Sequence, residues 1–160
     1  MALPNIFSKE VSETIIQRIN NLKPDNQAQW GKMNAAQMLA HCNVAYEMIY
    51  ENKHPKPNFL MAFLLRTFVK KKLTNEEPYK RSMQTAPAFI IKDDKNFGLE
   101  KNRLIQYISR TQELGGSYFH KKASPSFGIM TKHEWNNMLY KHLDHHLNQF
   151  GVWNTKMVQH

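Results

Sequence analysis

His142 and His146 stand four residues apart in the segment KHLDHHLNQF. In an α-helix, residues with this spacing lie on the same face, one turn from each other. The same face of the predicted helix carries four large apolar side chains, Trp135, Met138, Leu139 and Phe150. An imidazole on an apolar face must find a polar partner, because burying an unpartnered polar group costs free energy. A metal ion would satisfy both imidazoles at once, so the pair indicates a metal site.

His41 is a third histidine in the same kind of environment. It lies on the apolar stripe of an earlier predicted helix, beside Ala40 and Val44, and small alanines near the start of that helix would allow close packing. Three histidines with an open fourth position are typical of catalytic zinc sites, and nickel or iron also accepts imidazoles. We predict that His41, His142 and His146 bind one divalent metal ion. The alternative is that these histidines pack without metal.

Other polar residues near these histidines are weaker candidates. Cys42 directly follows His41, so its side chain points about 100° away around the helix. A small buried hydrophobe is therefore its expected role. Gln149 lies one turn beyond the last histidine of the predicted site and could orient a ligand or the substrate through its amide; a solvated glutamine is the alternative. Asp144 and His145 could also support the site, but a solvent-facing position is favoured for both.

Four long helices are predicted to position these residues. Apolar side chains recur at helical spacing over four stretches, residues 8–22, 34–50, 97–114 and 131–150. Residues that cap helices precede three of them: Ser8, Asn34 and Thr131. No segment shows a convincing strand pattern. The expected fold is all-α, a four-helix bundle with an additional short helix, in one domain over residues 1–153 with a flexible tail over residues 154–160.

The most apolar run in the chain is FLMAFLLRTFV, residues 59–69. It is about half as long as a bilayer-spanning helix, and Arg66 interrupts it. A buried helix is the favoured interpretation, and a lid or dimer-contact helix is the second choice. Residues 70–96 have no clear period, so we expect a long irregular connection that lies across the domain as a strap.

Composition bounds the class of protein. The chain has 160 residues and a formal charge of +9, and its single cysteine excludes a disulfide framework or a cysteine-rich zinc site. The densest basic patch is Arg66, Lys70, Lys71, Lys72, Lys80 and Arg81. A solvated basic face is favoured over a nucleic-acid site, because no aromatic-basic interleaving is present. The first residues lack a secretory pattern. We expect a cytoplasmic protein with a small-molecule substrate, no nucleic-acid or membrane partner, and a possible homodimer.

Several segments resemble the DinB-like superfamily. HLDHHLNQFG is similar to its last-helix motif, two histidines separated by three residues and followed by a glutamine, and WGKMNAAQMLAHC is similar to the region of its first ligand histidine. The resemblance is strongest to a bacterial branch known only as a domain of unknown function. PYKRSMQTAPAF and FGLEKNRLIQYI are similar to the middle of that branch. The branch's Phe-Gly, Thr and Glu-Trp stand here as Phe127, Gly128, Thr131, Glu134 and Trp135.

This resemblance implies a four-helix bundle with a three-histidine metal site at His41, His142 and His146. Some members of the superfamily are transferases or isomerases that use a low-molecular-weight thiol such as bacillithiol, mycothiol or glutathione. One departure is Ser124-Pro125, where relatives tend to carry His-Pro.

Three functions are therefore to be distinguished. The leading hypothesis is a metal-dependent transferase that joins a thiol co-substrate to a small electrophile, with the basic strap holding carboxylates of the thiol. The second is a metal-binding or stress-response protein without catalysis. The third is a basic helical interaction module that binds no metal.

Overall fold

The computed structural model describes residues 2–83 and 85–153 of the chain. Two long helices come first, α1 (Lys9–Asn21) and α2 (Ala35–Tyr50). A short helix α3 (Phe59–Leu64), a π-helical segment (Leu65–Val69) and a short helix α4 (Lys70–Thr74) then follow one another without a break. After a turn of 3-10 helix (Pro87–Phe89), the chain forms α5 (Phe97–Phe119), strands β1 (Lys122–Ser124) and β2 (Gly128–Met130), and α6 (Lys132–Gln149).

The four long helices pack around a common apolar core. Each contributes fully buried side chains, such as Ile15 of α1, Leu39 of α2, Ile108 of α5 and Trp135 of α6. The protein is therefore mostly helical, as the sequence predicts, because these apolar residues recur at the helical period and are removed from water together.

Side-chain caps fix where three of these helices begin. Ser8, Asn34 and Thr131 each accept a hydrogen bond from a backbone amide in the first turn of α1, α2 and α6. Gln37 and Glu134 complete capping boxes in α2 and α6. The predicted starts of these helices are confirmed. The caps matter for the site because α2 and α6 carry His41, His142 and His146.

Arg18 ties the first helix to the last. Its buried guanidinium donates from Nη1 to Asp144, from Nη2 to Asn148 and from Nε to the carbonyl oxygen of Val152, at distances of 2.7, 2.7 and 2.8 Å. A buried charge needs such partners, and here all of them belong to the last turns of α6 and the residues after it. The end of α6 is thereby held against α1.

The segment after Leu114 departs from the sequence prediction. A helix end was expected at Gly115-Gly116, but helical turns continue to Phe119 past a kink at Gly115, where φ is 72°. Glycine tolerates this positive φ because it has no Cβ. The strands β1 and β2 then form an antiparallel hairpin in which Ala123 pairs with Ile129. The expectation of no strands is wrong, because three-residue strands are too short to show an alternating pattern.

The apolar run at residues 59–69, which we call the apolar arm, is not the buried helix that the sequence favours. Phe59, Leu60 and Phe68 are 88%, 66% and 64% exposed. An apolar segment is buried only where another part of the fold packs over it. No core helix packs over the outer face of the arm. No helix within residues 2–83 and 85–153 has the length and apolar composition needed to cross a membrane.

Hydrogen bonds from α6 hold the segment that follows the arm. The Nζ of Lys141 donates to the carbonyl oxygens of Lys72 and Asn75, at 3.1 and 2.9 Å, and the Nδ2 of Asn137 donates to the carbonyl oxygen of Thr74, at 2.8 Å. The end of α4 is therefore fixed to the helix that carries two of the three candidate ligands. The strap was predicted over residues 70–96, but its first residues are helical as α4; the described residues after Thr74 are irregular as predicted, apart from the 3-10 turn. The expected tail, residues 154–160, lies outside the described residues.

Thr131→Ala is expected to lower the free energy of unfolding by about 1 kcal/mol, because it leaves the Glu134 amide without its capping hydroxyl. Urea denaturation followed by circular dichroism measures the change. Thr131→Ser, which keeps the hydroxyl, is the matched control and should retain most of the stability. Equal losses in the two variants would show that the cap is not the cause.

Candidate metal centre

His41 on α2 meets His142 and His146 on α6 inside the protein. The ring centroid of His41 lies 4.9 Å from that of His142 and 4.4 Å from that of His146, and the centroids of the two α6 rings are 4.9 Å apart. His41 and His146 are buried, and His142 is half-buried. The structure therefore brings together the three histidines that helical periodicity selects from the sequence.

Three nitrogen atoms of this cluster lie close enough together to hold a metal ion. One nitrogen from each of His41, His142 and His146 can be chosen so that all three lie within 4.8 Å of one another. The Nε2 atoms of His41 and His142 are 2.9 Å apart. At a metal–nitrogen distance of about 2.0–2.1 Å, two ligands of a tetrahedral or octahedral site are about 2.9–3.4 Å apart. The donor set fits one divalent ion, and imidazole nitrogens suit zinc, nickel or iron.

Hydrogen bonds orient two of the three imidazoles. The Nδ1 of His41 donates to the carbonyl oxygen of Phe89 at 2.8 Å, and the Nδ1 of His146 donates to the Oε1 of Gln149 at 2.7 Å. The Nε2 of Gln149 donates to the carbonyl oxygen of Trp30 at 2.6 Å, so the amide oxygen must face His146. Each ring then presents the Nε2 lone pair to the centre of the cluster. Partners of this kind fix the tautomer of a metal ligand.

Burial keeps the three imidazoles neutral at neutral pH. It lowers the pKa of His41 below the usual value, although the hydrogen bond to the Phe89 carbonyl acts in the opposite direction. Burial, together with the neighbouring histidines, lowers the pKa of His142 well below the usual value. Burial and His41 lower the pKa of His146 to about 3. Since the neutral imidazole is the form that binds metal, no proton has to leave these rings at neutral pH.

The cluster lies on the wall of a cavity of about 880 Å³, a size typical of small-molecule sites. Much of the wall is apolar, including Ala45, Met48, Leu65, Val69, Leu73 and Met138. Three lysines contribute positive charge to it, Lys32, Lys80 and Lys92. Among the described residues that line the cavity, none is Asp or Glu. Ser124 and Pro125, where this chain departs from the resemblance, also line it.

The remaining candidate residues take different positions. Cys42 is buried, its Sγ lies 3.8 Å from the Sδ of Met38, and burial raises the pKa of its thiol, which fits a small buried hydrophobe. Asp144, expected to face solvent, is half-buried and ion-paired with Arg18. His145 differs from the expectation of a solvent-facing side chain, because it is half-buried on the cavity wall.

Sequence reasoning identified Gln149 but missed the backbone groups that hold His41 and Gln149. The carbonyl oxygens of Phe89 and Trp30 carry no side-chain signal, and both belong to segments without a regular period. Gly31 gives a partial signal: its φ is 83°, and a Cβ at this position would lie 2.8 Å from the Nε2 of Gln149. A glycine is therefore needed where the chain passes the amide that orients His146.

The family described as "Protein of unknown function (DUF1569)" matches residues 8–152, which is most of the chain. No curated protein and no solved structure matches this chain. The family description assigns no activity, so a functional argument must start from the site itself.

Acid should destabilise the metal-free protein through its buried histidines. An unfolded histidine titrates near pH 6.5, whereas the folded-state pKa of His146 is about 3. Between these values the unfolded chain binds more protons than the folded one, so the free energy of unfolding should fall as the pH is lowered. Urea denaturation of chelator-treated protein, from neutral pH to about pH 5, measures the slope.

His146→Gln removes one of these titrating groups and should make the slope shallower. The matched control is His120→Gln at an exposed position, which should leave the slope unchanged. Parallel slopes for the wild type and His146→Gln would contradict this account.

Proposed function

We propose that this chain, which belongs to the DUF1569 family of proteins of unknown function, binds one divalent metal ion through His41, His142 and His146 and holds a small molecule in the adjoining cavity. The observation that carries the proposal is the convergence of three neutral imidazoles from two helices on one wall of that cavity. The Nδ1 atoms of His41 and His146 already have partners, so their Nε2 atoms are left facing the centre of the cluster, and a metal ion would account for all three rings together.

An open coordination position is part of the proposal. Three protein ligands leave at least one position of a tetrahedral ion for another molecule. The half-buried ring of His142 and the cavity in front of it support an approach from that side. A structural metal site would instead be closed by a fourth protein ligand, and Cys42, the nearest candidate in sequence, contacts Met38.

The finer proposal is a transferase that uses a low-molecular-weight thiol, as the resemblance to the DinB-like superfamily implies. A bound divalent cation lowers the pKa of a coordinated thiol, so that a thiolate nucleophile is available at neutral pH. The thiol sulfur would bond to an electrophilic carbon of the substrate, the bond from that carbon to its leaving group would break, and the thiol proton would leave with that group.

The chain's own side chains are suited to holding such a thiol. Lys32, Lys80 and Lys92 place positive charge around the cavity, where they could pair with carboxylates of a peptide-like thiol. Because no described lining residue is Asp or Glu, a carboxylate general base is not available to activate water there. The lining therefore favours a nucleophile that is activated by the metal itself.

The alternative is a protein that binds metal without catalysis, for example in a stress response. The absence of Asp and Glu from the described lining residues favours this alternative as well. Once the three ligands are assigned, the titratable side chains left among those residues are His145, Tyr79 and the three lysines. The two proposals share the metal site and differ in whether a thiol reacts there.

The fold assignment belongs to the same proposal. A DinB-like four-helix bundle is supported by four long helices around one core and by candidate ligands on the second and the last of them. The resemblance implies this arrangement of ligands.

Untagged protein stripped with a chelator should take up about one zinc or nickel ion per chain, measured by calorimetry and elemental analysis. His142→Ala and His146→Ala should each abolish tight uptake, and His120→Ala should not. Gln149→Leu keeps the three ligands but removes the partner of His146, so it should weaken binding by about 10–100-fold. Stoichiometric uptake by the His142→Ala/His146→Ala double variant would refute the site.

Thiol transfer is tested with metal-loaded protein, a panel of glutathione, bacillithiol and mycothiol, and a chromogenic electrophile. The transferase proposal predicts a rate that needs metal and is lost in His146→Ala. Lys80→Ala should raise KM for the thiol more than it lowers kcat, because its role is to bind a carboxylate. Metal uptake with no metal-dependent rate for any thiol would favour the non-catalytic alternative.

A further inference from the structure

The apolar arm, residues 59–69, leaves a hydrophobic surface that neither the core nor the proposed metal site accounts for. Phe59, Phe63 and Phe68 are 88%, 56% and 64% exposed, and they recur along consecutive turns. Exposed Leu60, Met61 and Leu64 extend this surface. The side chains that face the domain, Ala62, Leu65 and Val69, are apolar as well. A helix with apolar side chains on both its inner and its outer face is normally covered on both, so an occupant is expected on the outer face.

The chain around the arm is cationic. Residues 52–75 contain six lysines and arginines and no Asp or Glu. Lys53 and Lys70 pair with glutamates elsewhere in the chain. The other four are exposed and form no ion pair with a described residue: Lys56, Arg66, Lys71 and Lys72. The exposed apolar face is therefore bordered by uncompensated positive charge at both ends.

We propose that the apolar arm docks this protein on the surface of a membrane that contains anionic lipids. The outer phenylalanines and leucines would enter the boundary between the headgroups and the acyl chains, and the four free cations would lie at the level of the lipid phosphates. The sequence suggested no membrane partner because residues 59–69 are too short to span a bilayer. A helix that lies along the surface does not need that length.

Charge distinguishes this occupant from a second copy of the chain. In a two-fold dimer the same surface faces itself, so the free cations around one arm would approach those around the other. The formal charge of +9 on each chain adds to that repulsion. An anionic lipid surface covers the same apolar face and neutralises the same cations, so it satisfies both features.

The inner side of the arm suggests what docking is for. Leu65 and Val69 of the arm, with Leu73 of α4, line the cavity that contains the histidine cluster. A docked arm would hold this apolar wall at the membrane surface, where a lipophilic substrate dissolved in the bilayer could enter without crossing water. This assignment of a lipophilic substrate rests on the proposed function, whereas docking itself does not.

Co-sedimentation of the full-length protein with vesicles tests the docking. Phosphatidylcholine vesicles with added phosphatidylserine should bind the protein, and pure phosphatidylcholine vesicles should bind it much less. Each lysine removed near the surface should weaken the partition by about fivefold. Lys71→Glu/Lys72→Glu should therefore lower binding by more than tenfold, and added salt should act in the same direction.

Phe59→Ser/Phe63→Ser/Phe68→Ser should abolish binding that remains at high salt, because it removes the apolar contact. Matched controls change the same chemistry elsewhere: Leu99→Ser at a 54% exposed position, and Lys9→Glu/Lys23→Glu for the same change in charge. Both controls should bind as the wild type does. Circular dichroism confirms that each variant folds.

Three results would overturn the proposal. These are no binding to anionic vesicles at low salt, binding that the lysine variant and the phenylalanine variant both retain, and a concentration-dependent dimer that the phenylalanine variant dissociates. Metal-free and metal-loaded protein should bind vesicles equally. A failure of the protein to bind vesicles would therefore not count against the proposed metal site.

Discussion

An imidazole of this cluster can be buried between two helices and still face a metal ion only if its other nitrogen has a hydrogen-bond partner. The Nδ1 hydrogen bonds of His41 and His146 meet that requirement for two of the three rings. Their acceptors come from parts of the chain that are otherwise unrelated: the Phe89 carbonyl from the strap and the Gln149 amide from the end of α6, which is itself held by the Trp30 carbonyl. The paths of two irregular segments are therefore tied to the orientation of two side chains.

The same requirement explains why the end of α6 is so firmly fastened. Gln149 can hold His146 only if the last turn of the helix does not fray, and Arg18 binds the side chains and backbone on either side of that turn. Helix ends normally loosen because their last carbonyl groups lack partners. Here a buried guanidinium from α1 holds two side chains of the last turns of α6 and the carbonyl oxygen of Val152 just after it, so a residue with no contact to the cluster contributes to its geometry.

How much could be predicted from the sequence follows from how local each signal is. The ligand set could be predicted because His142 and His146 share a helical face with Trp135, and because capping residues indicate where α2 and α6 begin. The exposure of the apolar arm could not be predicted, since burial depends on whether another element of the fold covers Phe59 and Phe68. The path of the strap, which brings the Phe89 carbonyl to His41, is also set by tertiary contacts with α6 rather than by a period of its own.

The meeting of His41 with His142 joins points that are 101 residues apart along the chain. A bond through a common ion would close a loop of that length, and the entropy of the unfolded chain makes such a cross-link more stabilising as the loop grows. The two histidines of α6 could hold an ion weakly as soon as that helix forms. Full affinity requires α2, which carries His41, to be packed against α6. An ion held at this point would therefore stabilise the packed pair of helices rather than either helix alone.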